Sequence, residues 1–459
     1  MGVTSLVRVR GFVRTAAATA VAASLLAAAF EVPASSALAD PPNVPVAIDR
    51  SEVDNFAKFT EDNNTEISAH AKALIDAAPR GAQIRLPLYY FSQSKIVDAL
   101  KKARARGVKV RIVINGSEIG MEHYEALTAA FEPRPGAAKI KLDVRTCGER
   151  VKDATGGFPK QSGRYISDRG CAANRKVGSN YSRMHNKFMT IDKVEVSGRG
   201  VARNVVYVAS ANLHEWTSYE SVITVQDAGL YRFYSRYFDD MYRLATSHRR
   251  LDDYGSSHEY KPSGGKYQVY TFPRKEATGK AFSSASNDPV VADLKAAKCS
   301  TKTTNDVINV ANVRIARIPV ADALIAAGKR GCTVRVLTGD ISYTDGSSER
   351  IYEAVNKLAY SSYIDGGVRF CGPVNNIAWM HEKFMQIGQG RSAGLYVGSH
   401  NLTPQALRQQ DENILRLRNP RLYAAYTTRF NKLHDYCEQW KPKVPPPSGS
   451  GDDATEEVD

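Results

Sequence analysis

Two stretches of the chain carry the same succession of apolar and polar positions. IVDALKKARARGVKVRIV (96–113) lies over VADALIAAGKRGCTVRVL (320–337) without a gap. Asp98, Ala99, Leu100, Ala103, Arg106, Gly107, Val110 and Arg111 meet identical residues there. In both, apolar residues recur at helical spacing up to Gly107 or Gly331, glycines placed to cap a helix in the left-handed conformation. A short β-branched strand follows. Upstream of each helix runs another apolar strand, IRLPLYYF (84–91) and INVANVRI (308–315). Strand, helix, strand in this order predicts a parallel βαβ unit in each half.

The parallel continues. Helices are predicted near 122–131 and 348–358, then strands near 140–145 and 367–371. The segments MHNKFMTID (184–192) and MHEKFMQIG (380–388) come next, and their KFMTID and KFMQIG predict strands. A further strand follows each, VVYVAS (205–210) and GLYVGS (394–399). Both halves finish with an aromatic amphipathic helix, near 230–247 and 421–438. The Ser-, Gly-, Lys- and Pro-rich stretch 252–290 predicts a connector. The expected organisation is two similar α/β repeats, 40–251 and 291–440, followed by a disordered acidic tail, 441–459.

Residues 1–39 change the picture of where the protein works. Arg8, Arg10 and Arg14 precede the small, apolar run TAAATAVAASLLAAAF (15–30), and Ala37-Leu38-Ala39 offers a cleavage site. This is the grammar of a secretory signal peptide, cut near Ala39, and it predicts an extracellular protein. Export makes the six cysteines candidates for disulfides, with Cys147–Cys171 the preferred pair because those two stand alone in the first half. No ligand spacing for zinc is present. The chain of 459 residues is 43% hydrophobic and 24% charged, the composition of a globular protein, and its formal charge is +14. That charge suits polyanions: nucleic acid, anionic membrane surfaces, phosphorylated polymers.

The repeated His and Lys are unusual choices for a repeated core position. Residues two apart on a strand share a face, so His185 with Lys187, and His381 with Lys383, should project together. Two halves related by a pseudo-twofold would bring both pairs to one interface. Two imidazoles and two ammonium groups suit a phosphodiester. The lysines neutralise nonbridging oxygens, one imidazole attacks phosphorus, and the other protonates the leaving oxygen and then activates water or an alcohol. No metal or other cofactor is required. Ser210 and Asn212, and Ser399 and Asn401, close the following strands and are expected to complete a phosphate cradle. Glu220 and Glu412 lie on matching strands downstream and are expected to orient the imidazoles. His214 and His400 receive no role, and Trp379, Tyr89 and Tyr90 are expected to be wall or core.

His185-x-Lys187-x4-Asp192 with Ser210-x-Asn212 resembles the signature of the phospholipase D superfamily. His381-x-Lys383 with Gly398-Ser399-His400-Asn401 looks like its second copy, with Gly388 where the pattern has Asp. The resemblance implies two α/β/α sandwich repeats with the active site between them and a covalent phosphohistidine. It implies that His185 is the nucleophile, His381 the general acid and base, and Asp192 a supporting residue behind the reacting groups. The expected function is a secreted phospholipase D-type phosphodiesterase that hydrolyses phospholipid head groups, with possible transfer to alcohols. The alternatives are a secreted metal-independent endonuclease of the same superfamily and a non-catalytic phosphate- or surface-binding protein. The expected partners are a phospholipid or other phosphodiester, nucleic acid, and peripheral contact with an anionic membrane, the protein itself being a monomer.

Overall fold

The computed structural model describes residues 43–61, 65–131, 143–161, 164–178, 180–198, 200–214, 216–247, 251–299, 306–345, 348–372 and 379–440. The expected signal peptide and acidic tail lie outside them. In the first half, β1 (Phe56–Phe59), α1 (Thr65–Asp76), β2 (Gln83–Leu88), α2 (Ser94–Ala105), β3 (Lys109–Asn115), α3 (Glu122–Ala130) and β4 (Val144–Cys147) precede the His-x-Lys segment. After them come β5 (Arg183–Met184), β6 (Phe188–Glu195), β7 (Val201–Ala209), β8 (Ser218–Tyr219), β9 (Ser221–Gln226) and α4 (Ala228–Leu244). The main sheet runs β1-β9-β7-β6-β2-β3-β4.

The second half repeats this plan. Its elements are β10 (Tyr267–Thr271), α5 (Pro289–Ala296), β11 (Val307–Asn312), α6 (Ile318–Lys329), β12 (Thr333–Thr338), α7 (Glu353–Ala359) and β13 (Val368–Phe370). Then follow β14 (Trp379–Met380), β15 (Lys383–Ile387), β16 (Gly394–Gly398), α8 (Pro404–Arg408), β17 (Gln410–Asp411), β18 (Asn413–Leu417), α9 (Pro420–Tyr436) and β19 (Glu438–Trp440). The sheet order β10-β18-β16-β15-β11-β12-β13 matches the first, and β19 extends it by one strand. The predicted βαβ units are both present: β2 pairs parallel with β3, and β11 with β12.

Local chemistry explains why the repeats coincide. Gly107 at φ 88° and Gly331 at φ 100° close α2 and α6 in the left-handed region. In each, the next amide reaches back to the last turn: Val108 N to Ala103 O at 3.0 Å, and Cys332 N to Ala327 O at 3.1 Å. The aromatic helices start alike, with Asp227 accepting from the Leu230 amide and Asn419 from the Leu422 amide. Each half has its own apolar core beneath its helices. A third core joins the halves, and it contains Phe188 and Tyr234 from one and Phe384 and Tyr426 from the other.

The structure differs from the sequence reading at four places. The stretch 252–290 is more than a connector, because β10 within it pairs with β18 at the edge of the second sheet. Residues 348–351 form a hairpin strand with 342–345, and the helix expected from 348 begins at Glu353. The last helix ends at Tyr436, where Cys437 joins Cys371 and the chain turns into β19. His185 and Asn186 stand in a break between β5 and β6 rather than inside one strand. Three disulfides are present: Cys147–Cys171, as expected, together with Cys299–Cys332 and Cys371–Cys437. Among the described residues, no helix is long and apolar enough to cross a membrane.

Candidate active site

The breaks after Met184 and Met380 let the halves interlock. β5 pairs in parallel with β17, and the His185 amide donates to the Asp411 carbonyl at 3.0 Å. Reciprocally, β8 pairs in parallel with β14, and the His381 amide donates to the Tyr219 carbonyl at 3.0 Å. Each histidine is thus stitched to the strand that carries the other half's glutamate. Reciprocal exchange of this kind is the signature of a twofold relation.

The side chains follow the backbone. His185 Nδ1 lies 2.6 Å from Glu412 Oε1, and His381 Nδ1 lies 2.5 Å from Glu220 Oε1. All four side chains are buried. Glu220 and Glu412 were expected to orient imidazoles, and they do contact them, but each serves the histidine of the opposite half. Burial pushes both carboxylates up from the usual range, opposed by the Lys383 charge at Glu220 and by the His185 ring at Glu412. The Lys187 charge acts on both glutamates, which places its ammonium within electrostatic reach of both imidazole–carboxylate pairs. Lys187 Nζ also donates to the His185 carbonyl at 3.0 Å, and Lys383 Nζ lies 3.0 Å from His381 Nε2.

One expectation needs correction. Ser210 and Ser399, expected to hold phosphate, instead give their hydroxyls to the glutamates. Ser210 Oγ donates to Glu220 Oε2 at 2.5 Å, and Ser399 Oγ donates to Glu412 Oε2. A hydroxyl has one proton, so neither has a donor left over for substrate. They fix the carboxylates that fix the rings. Asn212 and Asn401 are buried two residues beyond these serines. The Asp192 carboxylate accepts from the Gln83 amide at 2.7 Å and joins β6 to the start of β2. At the corresponding place in the second half the backbone makes the link, the Gly388 amide donating to the Val307 carbonyl at 3.0 Å. The lost carboxylate is a strand clamp replaced by another, which explains why one copy can do without it.

The sequence reading missed several neighbours. Glu382, between His381 and Lys383, accepts from Ser221 Oγ at 2.5 Å and from Arg429 Nε at 3.0 Å. Asp411, next to Glu412, accepts from the amides of Cys171, Ala172 and Ala173 at 2.6, 3.1 and 2.7 Å. The Cys147–Cys171 bridge therefore anchors the loop that holds the β17 strand beside His185. Tyr89 meets the His185 ring edge-on at 4.6 Å, and Trp379 packs 4.7 Å from His381. Both are walls of the site, as expected for Trp379.

A doubled α/β/α unit whose halves exchange histidine and glutamate across one interface defines a class of phosphoryl-transfer protein. The chain belongs to the phospholipase D-like family described as "Cardiolipin synthase, PLD-like domain", whose model matches residues 71–242 and 291–434. Phosphatidylserine synthase from Haemophilus influenzae Rd KW20 shares the fold, with a TM-score of 0.53 at 13% identity over 86% of this chain and 89% of that one. Polyphosphate kinase from Porphyromonas gingivalis aligns with 85% of this chain at 12% identity and a TM-score of 0.47. The chain spans 53% of the length of that kinase. Nuc from Salmonella typhimurium, a phospholipase D family member, aligns at 21% identity and a TM-score of 0.26 over 33% of this chain and 89% of that one. No curated protein matches the chain.

Proposed function

We propose that the protein is an exported phosphodiesterase that cleaves phospholipid head groups in two steps through a phosphohistidine on His185. The observation that carries this reading is the engagement of both Nδ1 atoms by buried glutamates. With Nδ1–H donating to Glu412, neutral His185 bears its lone pair on Nε2, which attacks phosphorus. His381, held at Nδ1 by Glu220, protonates the leaving oxygen from Nε2 and then takes a proton from water or an alcohol. Lys187 and Lys383 offset the charge that develops on the phosphoryl oxygens. Asn212 and Asn401 supply amide donors to the same group. Export rests on residues 1–39, with processing near Ala39, and the three disulfides suit an oxidising compartment.

The family description names cardiolipin synthase, which supports a lipid substrate. The formal charge of +14 favours a second reading, an exported endonuclease acting by the same chemistry. Residues 40–459 incubated with phosphatidylcholine vesicles and with plasmid DNA, chelator present, separate the two. Choline release without nicking is the expected result. Nicked plasmid without choline release transfers the proposal to nucleic acid. Binding of either substrate with no product formed would leave only a phosphate- or surface-binding role.

A further inference from the structure

Beside the site lies a histidine that the mechanism above does not use. His214 follows Asn212 by two residues, at the position that Thr403 holds in the second half. Its side chain is fully buried. The Trp216 amide donates to its Nδ1 at 2.9 Å, the indole packs 4.4 Å from the imidazole, and Gln93 Nε2 donates to its carbonyl at 2.8 Å. A neutral imidazole whose Nδ1 accepts a hydrogen bond carries its proton on Nε2. Burial keeps the ring neutral by pushing its pKa down to about 3; Glu220 opposes that shift, and His381, Lys187 and Arg164 add to it. Three of those four groups belong to the active site. The Nε2–H is therefore a permanent, uncharged donor, and among the described residues it has no hydrogen-bond partner. A buried donor without an acceptor is costly to the fold and calls for a functional reason.

We propose that His214 is a catalytic residue whose Nε2–H donates to a nonbridging phosphoryl oxygen of the bound diester, on the His381 side of the site. The assignment rests on the phosphodiesterase reading above. It makes the site one-sided. Thr403 offers a group of a different kind, a hydroxyl that accepts from the Ala406 amide at 3.2 Å and caps α8. His400, stacked 4.0 Å from Phe272, has no protein partner among the described residues to fix its tautomer. The diester therefore meets a neutral donor of fixed tautomer beside His381 and none of this kind beside His185. A fixed donor of this kind gains strength as charge develops on the oxygen.

Histidine-15N-labelled protein, residues 40–459, should show His214 as the Nε2–H tautomer across neutral and mildly acidic pH. Sodium tungstate, a mimic of the transferred phosphoryl group, should shift that proton. His214→Gln keeps an N–H donor, and its turnover of bis(4-nitrophenyl) phosphate should stay within about tenfold of wild type, whereas His214→Phe should lower kcat by about 10²-fold with little change in KM. Equal kcat in the two variants overturns the assignment. So does tungstate that moves the His185 signals and leaves the His214 proton in place, a result that would spare the phosphodiesterase reading. The tungstate titration uses unmodified protein, so it decides the matter even if the Phe variant fails to fold. Wild-type protein that neither binds tungstate nor turns over the diester would overturn both readings.

Discussion

In the first half, the residue between histidine and lysine is Asn186. It donates to the Tyr237 hydroxyl at 2.8 Å and accepts from Asn413 Nδ2 at 2.8 Å. In the second half the same place holds Glu382, set between Ser221 and Arg429. Both braces do one job, tying the His-x-Lys segment to the other half's β-strand and to the aromatic helix of its own half. One brace is neutral and the other is an ion pair with both side chains out of solvent. Asp192 and Gly388, and His214 and Thr403, differ in the same way. The duplication has kept the positions of the contacts and let their chemistry drift, while the crossed His–Glu pairs stay identical. Identity is retained where a proton must be placed and is lost where only a strand must be held.

The largest effects should follow from the crossed pairs. Glu412→Gln and Glu220→Gln should each lower kcat by about 10³- to 10⁴-fold, since a neutral amide leaves the ring in the wrong tautomer. Histidine NMR separates the crossed arrangement from a local one: Glu412→Gln should perturb the Nδ1–H signal of His185 and spare His381, with the reverse for Glu220→Gln. Perturbation within the same half would break the comparison at its root.

The braces should differ next. Arg429→Ala strands Glu382 in the interior and should destabilise the protein by about 3–5 kcal/mol in chemical denaturation. Tyr237→Phe removes two neutral hydrogen bonds, one from Asn186 and one to the Glu412 carbonyl, and should cost about 1–2 kcal/mol. Similar losses from the two would mean that the ionic brace carries no special cost.

The His214/Thr403 difference predicts an acid sensitivity that His214 carries and Thr403 cannot. His214 titrates at about 3 when folded and near 6.5 when unfolded. A lowered folded pKa gives stability that is intact above 6.5 and declines as pH falls toward 3. From pH 7 to pH 5 wild type should therefore lose about 2 kcal/mol relative to His214→Gln, read from denaturant midpoints at each pH. Parallel midpoints would show that the ring takes up its proton in the folded state. Smallest of all, Asp192→Ala should cost about 1 kcal/mol and leave turnover near wild type, as should Gly388→Asp for turnover. A large kinetic loss at Asp192 would give that carboxylate a part in the chemistry.

Much of this was legible in the sequence, and the remainder was hidden for identifiable reasons. The gapless overlay of 96–113 on 320–337 exposes the two repeats because helix spacing and a glycine cap are local properties. The pairing of Cys147 with Cys171 is legible because those cysteines have no rivals nearby. The exchange of glutamates is not legible. Glu412 lies 227 residues from His185, and chain order alone associates it with His381. The roles of Ser210 and Ser399 escape for a related reason, since a hydroxyl's acceptor depends on what the fold places opposite it. Tyr267–Thr271 is too short, and too close to Ser- and Gly-rich chain, to stand out as a strand.

One measurement tests the shared site most directly. The leaving group of bis(4-nitrophenyl) phosphate needs no proton, so a His381→Ala protein should still form the covalent intermediate and be unable to hydrolyse it. Mass spectrometry after quenching should find a nitrophenylphosphoryl adduct on His185, and none in the His185→Ala, His381→Ala double variant. An adduct on any other residue, or no adduct from a protein whose wild type turns the diester over, would contradict the account.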